Sequence, residues 1–456
     1  MFTCLENRRT LSKLLCTLAV VVTLAALAAS GVVTSEAHSA TFVVDSTADD
    51  GDQFWGDGEC ATALDECTLR AALDETFGLY QGFYGPPDLD THIIQVPGGN
   101  YNVGSSLGVG GNVLIQGAGW QSTIISASAV DYSVVMVNSG ITAEIEDLTI
   151  SNGNAYTGGG LWNEGTLTLR KTNLVGNSTS IGNGGGIRNW GDLTLEDCYI
   201  ASNSAVQGGG GIANENGAVL IVQDSSIASN TTSDLSYGGG AIYNASSGTV
   251  DIVRSSIRDN TAPMGGGIFN YGIAWLTNVT VSGNGATTTG TNGGGGVNNQ
   301  SGATLDLKSV TIANNSTTTG QALVNIGTLN VAHTIVADNS GGDCFLSSSG
   351  TLDGTVHHNL DSDGSCFSAG DGNLPNTDPM LTSLLTPGYY GAHGLLPGSP
   401  AIDAGDPAGC LAKGSLLLTD QRGRSRTVDG DDDGTAVCDI GAFEAQIKTY
   451  LPLIQR

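Results

Sequence analysis

One phrase recurs along this chain. Between Gly158 and Asn339 a glycine run, an Asn, an alternating apolar stretch and a closing Asn come round about seven times, as in GGGIRNWGDLTLEDCYIASN from Gly184 to Asn203. The closing residues are Asn177, Asn203, Asn230, Asn260, Asn284, Asn315 and Asn339, separated by 24 to 31 residues. Three positions before each stands Leu174, Ile200, Ile227, Ile257, Val281, Ile312 or Val336. Eight and ten positions before stand two more apolar residues, such as Leu193 and Leu195 or Leu305 and Leu307. An earlier Asn follows each glycine run, at Asn163, Asn189, Asn214, Asn244, Asn270, Asn299 and Asn325, with an apolar residue such as Ile187 or Ile268 two places ahead.

Within a copy the apolar residues alternate with period two, which is strand spacing. Three short strands per copy, joined by Gly- and Asn-rich corners, predict one coil of a right-handed parallel β-helix, an all-β fold. A single coil cannot bury its inner face. Stacked at roughly 4.8 Å, coils pair their backbones above and below. Corner asparagines tolerate left-handed backbone, and stacked amides hydrogen-bond from coil to coil. Counting weaker copies from Tyr101, about ten coils are expected. Cys198 shares its column with Thr172, Ser225, Ser255, Val279, Val310 and Thr334, so it reads as a small buried group rather than a nucleophile. The Asn-x-Ser/Thr triplets at Asn177, Asn230 and Asn278 follow from the repeat and need carry no glycan.

Charge narrows the partners. With 44 acids against 16 bases the net charge is −28, which repels nucleic acid phosphates and anionic lipid heads. Nucleic acid is excluded as a partner. Arg8, Arg9 and Lys13 precede the apolar run Leu14–Ala29, the pattern of a signal peptide over residues 1–40 with cleavage between 28 and 40. No later stretch is long and apolar enough to span a bilayer, so the mature chain is expected to be secreted, extracellular or at the cell surface. In an oxidising compartment six cysteines fall into local pairs: Cys60 with Cys67, Cys344 with Cys366, Cys410 with Cys438.

The ends carry more specific motifs. GECATALDECTLRAALDET, Gly58 to Thr76, resembles the N-terminal CSLREA domain of exported bacterial β-helix proteins, with Thr68 for Ser and Ala71 for Glu. LIQGAGWQSTII, Leu114 to Ile125, looks like an early coil of pectin-lyase-like helices. LLPGSPAIDAGD, Leu395 to Asp406, and TDQRGRSR with CDIGAFE, Thr419 to Glu444, resemble the choice-of-anchor Q domain. The repeats are similar to those of polymorphic outer-membrane proteins. The resemblance implies an N-terminal cap over 41–100, coils over 101–345, a C-terminal region over 346–446 and an apolar tail over 447–456. It implies export, and no established activity. Leu69 to Phe77 can form a short helix over the first coil, held by the Cys60–Cys67 loop. The acidic segment after Leu360 is expected to close the other end, since bare strand edges invite aggregation.

Many β-helices cleave polysaccharides, and that chemistry needs converging carboxylates or a metal with a base. The outward columns here are poor in acids. The corner six residues before the closing Asn reads Lys171, Asp197, Asp224, Arg254, Asn278, Ser309, His333, a pattern of weak surface pairing, and no catalytic residue is assigned. The expected function is therefore a non-catalytic scaffold that presents a rigid surface for adhesion or glycan binding, its partner an extracellular polysaccharide or cell-envelope component. The alternative is a secreted polysaccharide lyase or glycoside hydrolase. The binding candidate is an outward stripe containing Trp162, Arg188, Tyr243 and Phe269, since sugars stack on aromatic faces. Strand packing explains the same stripe equally simply. Asp429, Asp431 and Asp433, followed by Gly434, open like an EF-hand loop and could hold calcium as the sole cofactor, though Ile440 stands where the bidentate Glu belongs. A solvated acidic turn is the competing reading.

Overall fold

The computed structural model describes residues 39–446 apart from 129–130, 236, 289–292, 319, 355 and 386–390. Residues 1–38, most of the expected signal peptide, and the tail over 447–456 lie outside the described residues. Strands of successive coils pair in parallel into sheets of 12, 11, 10 and 7 strands. This is the parallel β-helix that the repeat predicts, with about ten turns. Each central copy contributes four strands rather than three. In the copy from Gly184 they are Ile187–Asn189, Asp192–Glu196, Tyr199–Ala201 and Ser204–Ala205. The fourth has a sequence signal that is easily missed. Two residues after each closing Asn stands a small side chain, among them Thr179, Ala205, Thr232, Ala262, Ala286 and Thr317, and all six are buried.

Register follows the repeat residue for residue. Leu193 opposes Leu167 and Leu220, and Ile200 opposes Leu174 and Ile227. These columns are at most 1% exposed. Each buried Leu or Ile removes enough apolar surface from water to contribute about 1.5–3 kcal/mol, and the period-two pattern places every one on the inner face.

Both asparagine columns face inward. Nδ2 of each donates to Oδ1 of its counterpart in the next coil, at 2.7–2.9 Å from Asn163 to Asn325 and 2.9–3.1 Å from Asn177 to Asn339. The left-handed corner expected of these residues belongs to their neighbours. Ser202, Ser229, Asp259 and Asn314, each one place before a closing Asn, have φ of 55–57°, and Asp197, Asp224, Arg254 and Asn278 have φ of 47–54°. The ladder needs each amide in an extended, inward position, so the turn falls on the residue beside it. The sequons are closed, Asn177 and Asn230 by the ladder and Asn278 by a contact to the Thr419 carbonyl. Asn177, Asn230 and Asn278 are at most 3% exposed, and their amides are hydrogen-bonded. In the glycine runs a Cβ on Gly185 would stand 2.4 Å from the carbonyl oxygen of Gly210, so only glycine fits that close approach.

The helix Leu69–Gln81 closes the first end. The Thr68 hydroxyl caps it by accepting the Ala71 N–H at 3.0 Å, a role Thr fills as Ser would. Gly82 ends it in left-handed backbone. Leu69, Ala72 and Leu73 are buried, and a Cβ on Gly111 would strike the Thr76 carbonyl. The stack starts earlier than residue 101, since Thr41–Val43 already pairs with His92–Val96.

The C-terminal region does two things, of which the sequence suggested one. At the far end Leu374 N–H donates to the Asn359 carbonyl and Asn359 Nδ2 to Asn373 Oδ1, so this segment completes the last turn. The chain then folds back along the flank. Thr280 donates to Gln421 at 2.6 Å, Asn278 to the Thr419 carbonyl at 2.8 Å and the Ala442 N–H to Thr311 at 3.0 Å. Ala401 and Ile440 pack on Ile335, Ala337 and Leu360. All three expected disulfides form, Cys60–Cys67, Cys344–Cys366 and Cys410–Cys438.

Candidate functional site

The stripe has the expected register. Trp162 opposes Arg188, and Tyr243 opposes Phe269. It is not an open platform. Tyr243 is 8% exposed and Phe269 1%. Met264 and Tyr271 pack over them, and Gly208 and Gly238 of the glycine runs lie directly against the two rings. The stacked rings, with centroids 6.4 Å apart, form a small second core under the loops. Apolar rings next to a flexible glycine run bury themselves beneath it, so strand packing explains this part of the stripe. Trp162 and Arg188 are half-buried, and the Arg188 guanidinium lies 5.4 Å from the Trp162 ring, 5.0 Å from Trp190 and 2.8 Å from the Glu215 carboxylate.

Exposed aromatics gather instead on the N-terminal cap, where the sequence reading placed no site. Phe54 is 54% exposed, Trp55 41%, Phe83 56% and Tyr84 66%. With Gln53 they line an open depression of about 660 Å³. A neighbouring hollow of about 220 Å³ is lined by Asp52, Asp57, Glu59 and Asp65, and shares Gln53 and Phe54 with it. The platform is fixed from below. Trp55 meets Phe77 of the helix edge-on at 5.9 Å, Phe83 meets Phe77 at 6.0 Å, and Trp55 Nε1 donates to the Asp52 carbonyl. Buried Glu75 accepts the Gly56 and Gly58 N–H groups at 2.5 and 2.6 Å, and burial raises its pKa.

The acids on the open sheet are paired rather than convergent. Arg170 bridges Glu144 at 2.6 Å and Glu196 at 2.8 Å, and Lys308 meets Asp306 at 3.2 Å. Arg254 takes Asp224, and Lys413 of the folded-back segment takes Asp251. Such exposed pairs contribute about 0–1 kcal/mol each.

In the candidate calcium loop, Asp429 and Asp431 approach Asp403 rather than Asp433. Their oxygens are engaged by the loop itself. Asp429 accepts the Asp433 and Gly434 N–H groups, Asp431 accepts the Asp433 N–H, and Asp403 accepts Gly430, Asp431 and Val437. Backbone donors account for the packing of these acids in an exposed turn. Ile440 is buried, and Glu444 lies inside the fold-back with Arg426, remote in role from the loop.

That buried network joins the fold-back to the solenoid. Arg426 is fully buried, and donates to Asn278 Oδ1 at 2.6 Å, the Gly441 carbonyl at 2.7 Å and Glu444 at 3.4 Å. Asp420, Asp439 and Glu444 are also 0% exposed; Glu444 meets the guanidinium through its carboxylate, Asp439 through its backbone carbonyl at 3.2 Å, and Asp420 pairs with Arg422. Burial raises Glu444 and Asp439 well above the ordinary range. His393, without an acid partner in the sequence, is a second anchor. Its Nε2 lies 2.8 Å from Ser282 Oγ and its Nδ1 2.8 Å from the Thr382 carbonyl.

A third feature is a histidine cluster. His333, His357, His358 and Asp406 each place a donor atom within 4.8 Å of the others. His333 occupies the last left-handed corner of the charged column, with φ 53°. It is 1% exposed, and among the described residues neither ring nitrogen has a hydrogen-bond partner. Leaving a buried polar group so costs about 1–3 kcal/mol. Burial pushes its pKa down to about 3. The Ala408 N–H at 2.8 Å holds Asp406 below the usual carboxylate range. His357 stands 24 residues after His333, one repeat length, which is the signal that could have paired them.

No protein-family model, curated protein or solved structure matches this chain. Among the described residues, no helix is long and apolar enough to cross a membrane.

Proposed function

We propose that the protein is an exported β-helical scaffold, of the class that bears CSLREA-type and choice-of-anchor Q-type ends, and that it binds glycan at its N-terminal cap without cleaving it. The observation that carries this reading is the set of four exposed aromatic side chains, Phe54, Trp55, Phe83 and Tyr84, on a cap locked by a disulfide and a capped helix. Sugar rings stack on flat aromatic faces, and carboxylates beside the rings accept sugar hydroxyls. Paired, scattered acids on the long sheet support a binding role over hydrolysis, which needs two carboxylates on one sugar bond. Three disulfides and an acidic, soluble surface fit a secreted or cell-surface location.

The test is a glycan array probed with the full-length chain, followed by Tyr84→Ala and Trp55→Ala. At about 0.5–1.5 kcal/mol for each stacked ring, the double variant is expected to weaken binding to an array hit by about fivefold to a hundredfold. Tyr84 is the most exposed of the four, so Tyr84→Ala alone leaves thermal unfolding unchanged. Undiminished binding by the double variant refutes the cap as the site. New reducing ends or unsaturated products from any polysaccharide refute the non-catalytic reading.

A further inference from the structure

We propose that His333, His357, His358 and Asp406 bind one zinc ion, which clasps the folded-back C-terminal segment to the last coils of the solenoid. The four residues come from three separate elements. His333 is a coil corner, and His357 and His358 are the corner one turn on, joined to it by the His333 N–H and the His357 carbonyl. Asp406 belongs to the returning segment, close to the Cys410–Cys438 disulfide. Three of the chain's six histidines thus meet at one point, together with a carboxylate.

Geometry fits the ion. With zinc bonds of about 2.0–2.1 Å, tetrahedral donors stand about 3.3–3.4 Å apart. The Nδ1 atoms of His357 and His358 are 2.9 Å apart, and His357 Nδ1 lies 4.0 Å from Asp406 Oδ2. These values bracket the tetrahedral separation, so small side-chain torsions complete the set. His357 and Asp406 keep 22% and 31% of their side chains exposed, which leaves a way in for the ion. His333 supplies the independent observation. Its ring is buried, faces the cluster and finds no hydrogen-bonding partner among the described residues, so a metal bond gives one nitrogen a role they leave unfilled.

Donor type selects the metal. Three imidazoles and one carboxylate suit a first-row transition ion, of which zinc takes the tetrahedral arrangement, whereas calcium and magnesium require oxygen donors. Cys410 and Cys438 sulfurs also lie near His333, but they are joined to each other and offer no thiolate. Four protein donors make a closed structural site rather than an open catalytic one. Nearby Arg426 is engaged by Asn278 Oδ1, the Gly441 carbonyl and Glu444.

The experiment uses the full-length chain, stripped with chelator, desalted and titrated calorimetrically with zinc chloride. One equivalent is expected to bind, and cobalt in its place should give the intense visible bands of a tetrahedral centre. His357→Ala with His358→Ala should weaken zinc binding by more than about a hundredfold, and Asp406→Asn by about tenfold or more. Asp429→Asn with Asp431→Asn, which alters the other acid cluster, should leave zinc binding unchanged. Absence of zinc binding overturns the proposal, as does binding that survives both the double histidine change and Asp406→Asn. If the double histidine variant fails to fold by circular dichroism, Asp406→Asn, in a half-exposed loop, decides alone.

Discussion

Replacing Asn230 by Ala probes the asparagine ladder at its centre. Asn230 is 0% exposed and its amide makes four hydrogen bonds. Nδ2 donates to the Ile200 carbonyl at 2.9 Å and to Asn260 Oδ1 at 3.0 Å, while Oδ1 accepts the Asn203 N–H and Asn203 Nδ2, both at 3.0 Å. In the Ala variant Asn260 Oδ1 still accepts the Asn230 N–H at 2.9 Å, and Asn203 Nδ2 still donates to the Leu174 carbonyl at 3.0 Å. The Asn203 N–H loses its acceptor and the Ile200 carbonyl loses a donor, deep in the stack. Each buried group deprived of a partner costs about 1–3 kcal/mol, so the expected loss is about 2–6 kcal/mol. The control is Asn216→Ala. Asn216 is exposed and accepts only a solvent-facing bond from Ser246, so its loss is expected to stay within about 0.5 kcal/mol. Urea unfolding followed by circular dichroism measures both. Coils contact only their neighbours, so amide exchange should accelerate first in the turns flanking residue 230. An Asn230→Ala loss no larger than that of Asn216→Ala refutes the claim that the amide column, rather than the apolar columns alone, holds the coils in register.

Two further outcomes follow from buried titratable groups. Burial raises the folded-state pKa of Glu444, so the folded chain keeps a proton that the unfolded chain releases above its ordinary value of 4.5. That contribution to stability is fully present below this pH and declines as pH rises above it. Glu444→Gln should flatten the decline in melting temperature, with Asp439 carrying the remaining slope, and a variant that declines as steeply as the parent refutes the assignment. Cys198 is a free, fully buried thiol whose pKa burial pushes up to about 12. It should resist iodoacetamide in the folded chain and react on unfolding. Cys198→Ser should cost less than about 1 kcal/mol, because Ser225 and Ser255 fill the same column by donating to carbonyls at 2.6 and 2.8 Å; a loss of several kcal/mol refutes the equivalence of the column.

The stacked coils, their register and the inward columns were legible from the repeat alone. Each coil meets only its neighbours, so a local period of two and a recurrence of 24 to 31 residues carry the whole pattern of contacts. The three disulfides were legible for a related reason, since each joins cysteines at most 28 residues apart. Asn278, Thr280, Ser282 and Thr311 read as polar, outward residues of the solenoid, and nothing near them in the chain says otherwise. They are buried because the returning segment, more than a hundred residues later, lies on them. Tyr243 and Phe269 hold the stripe register the repeat predicts, yet whether they meet solvent depended on how the glycine-run loops fold over them. Among the cluster histidines, the pairing of His333 with His357 was implicit in one repeat length. The arrival of Asp406 was not, because periodicity describes contacts between adjacent coils and says nothing about where a non-repeating segment finds its lowest free energy against the finished stack.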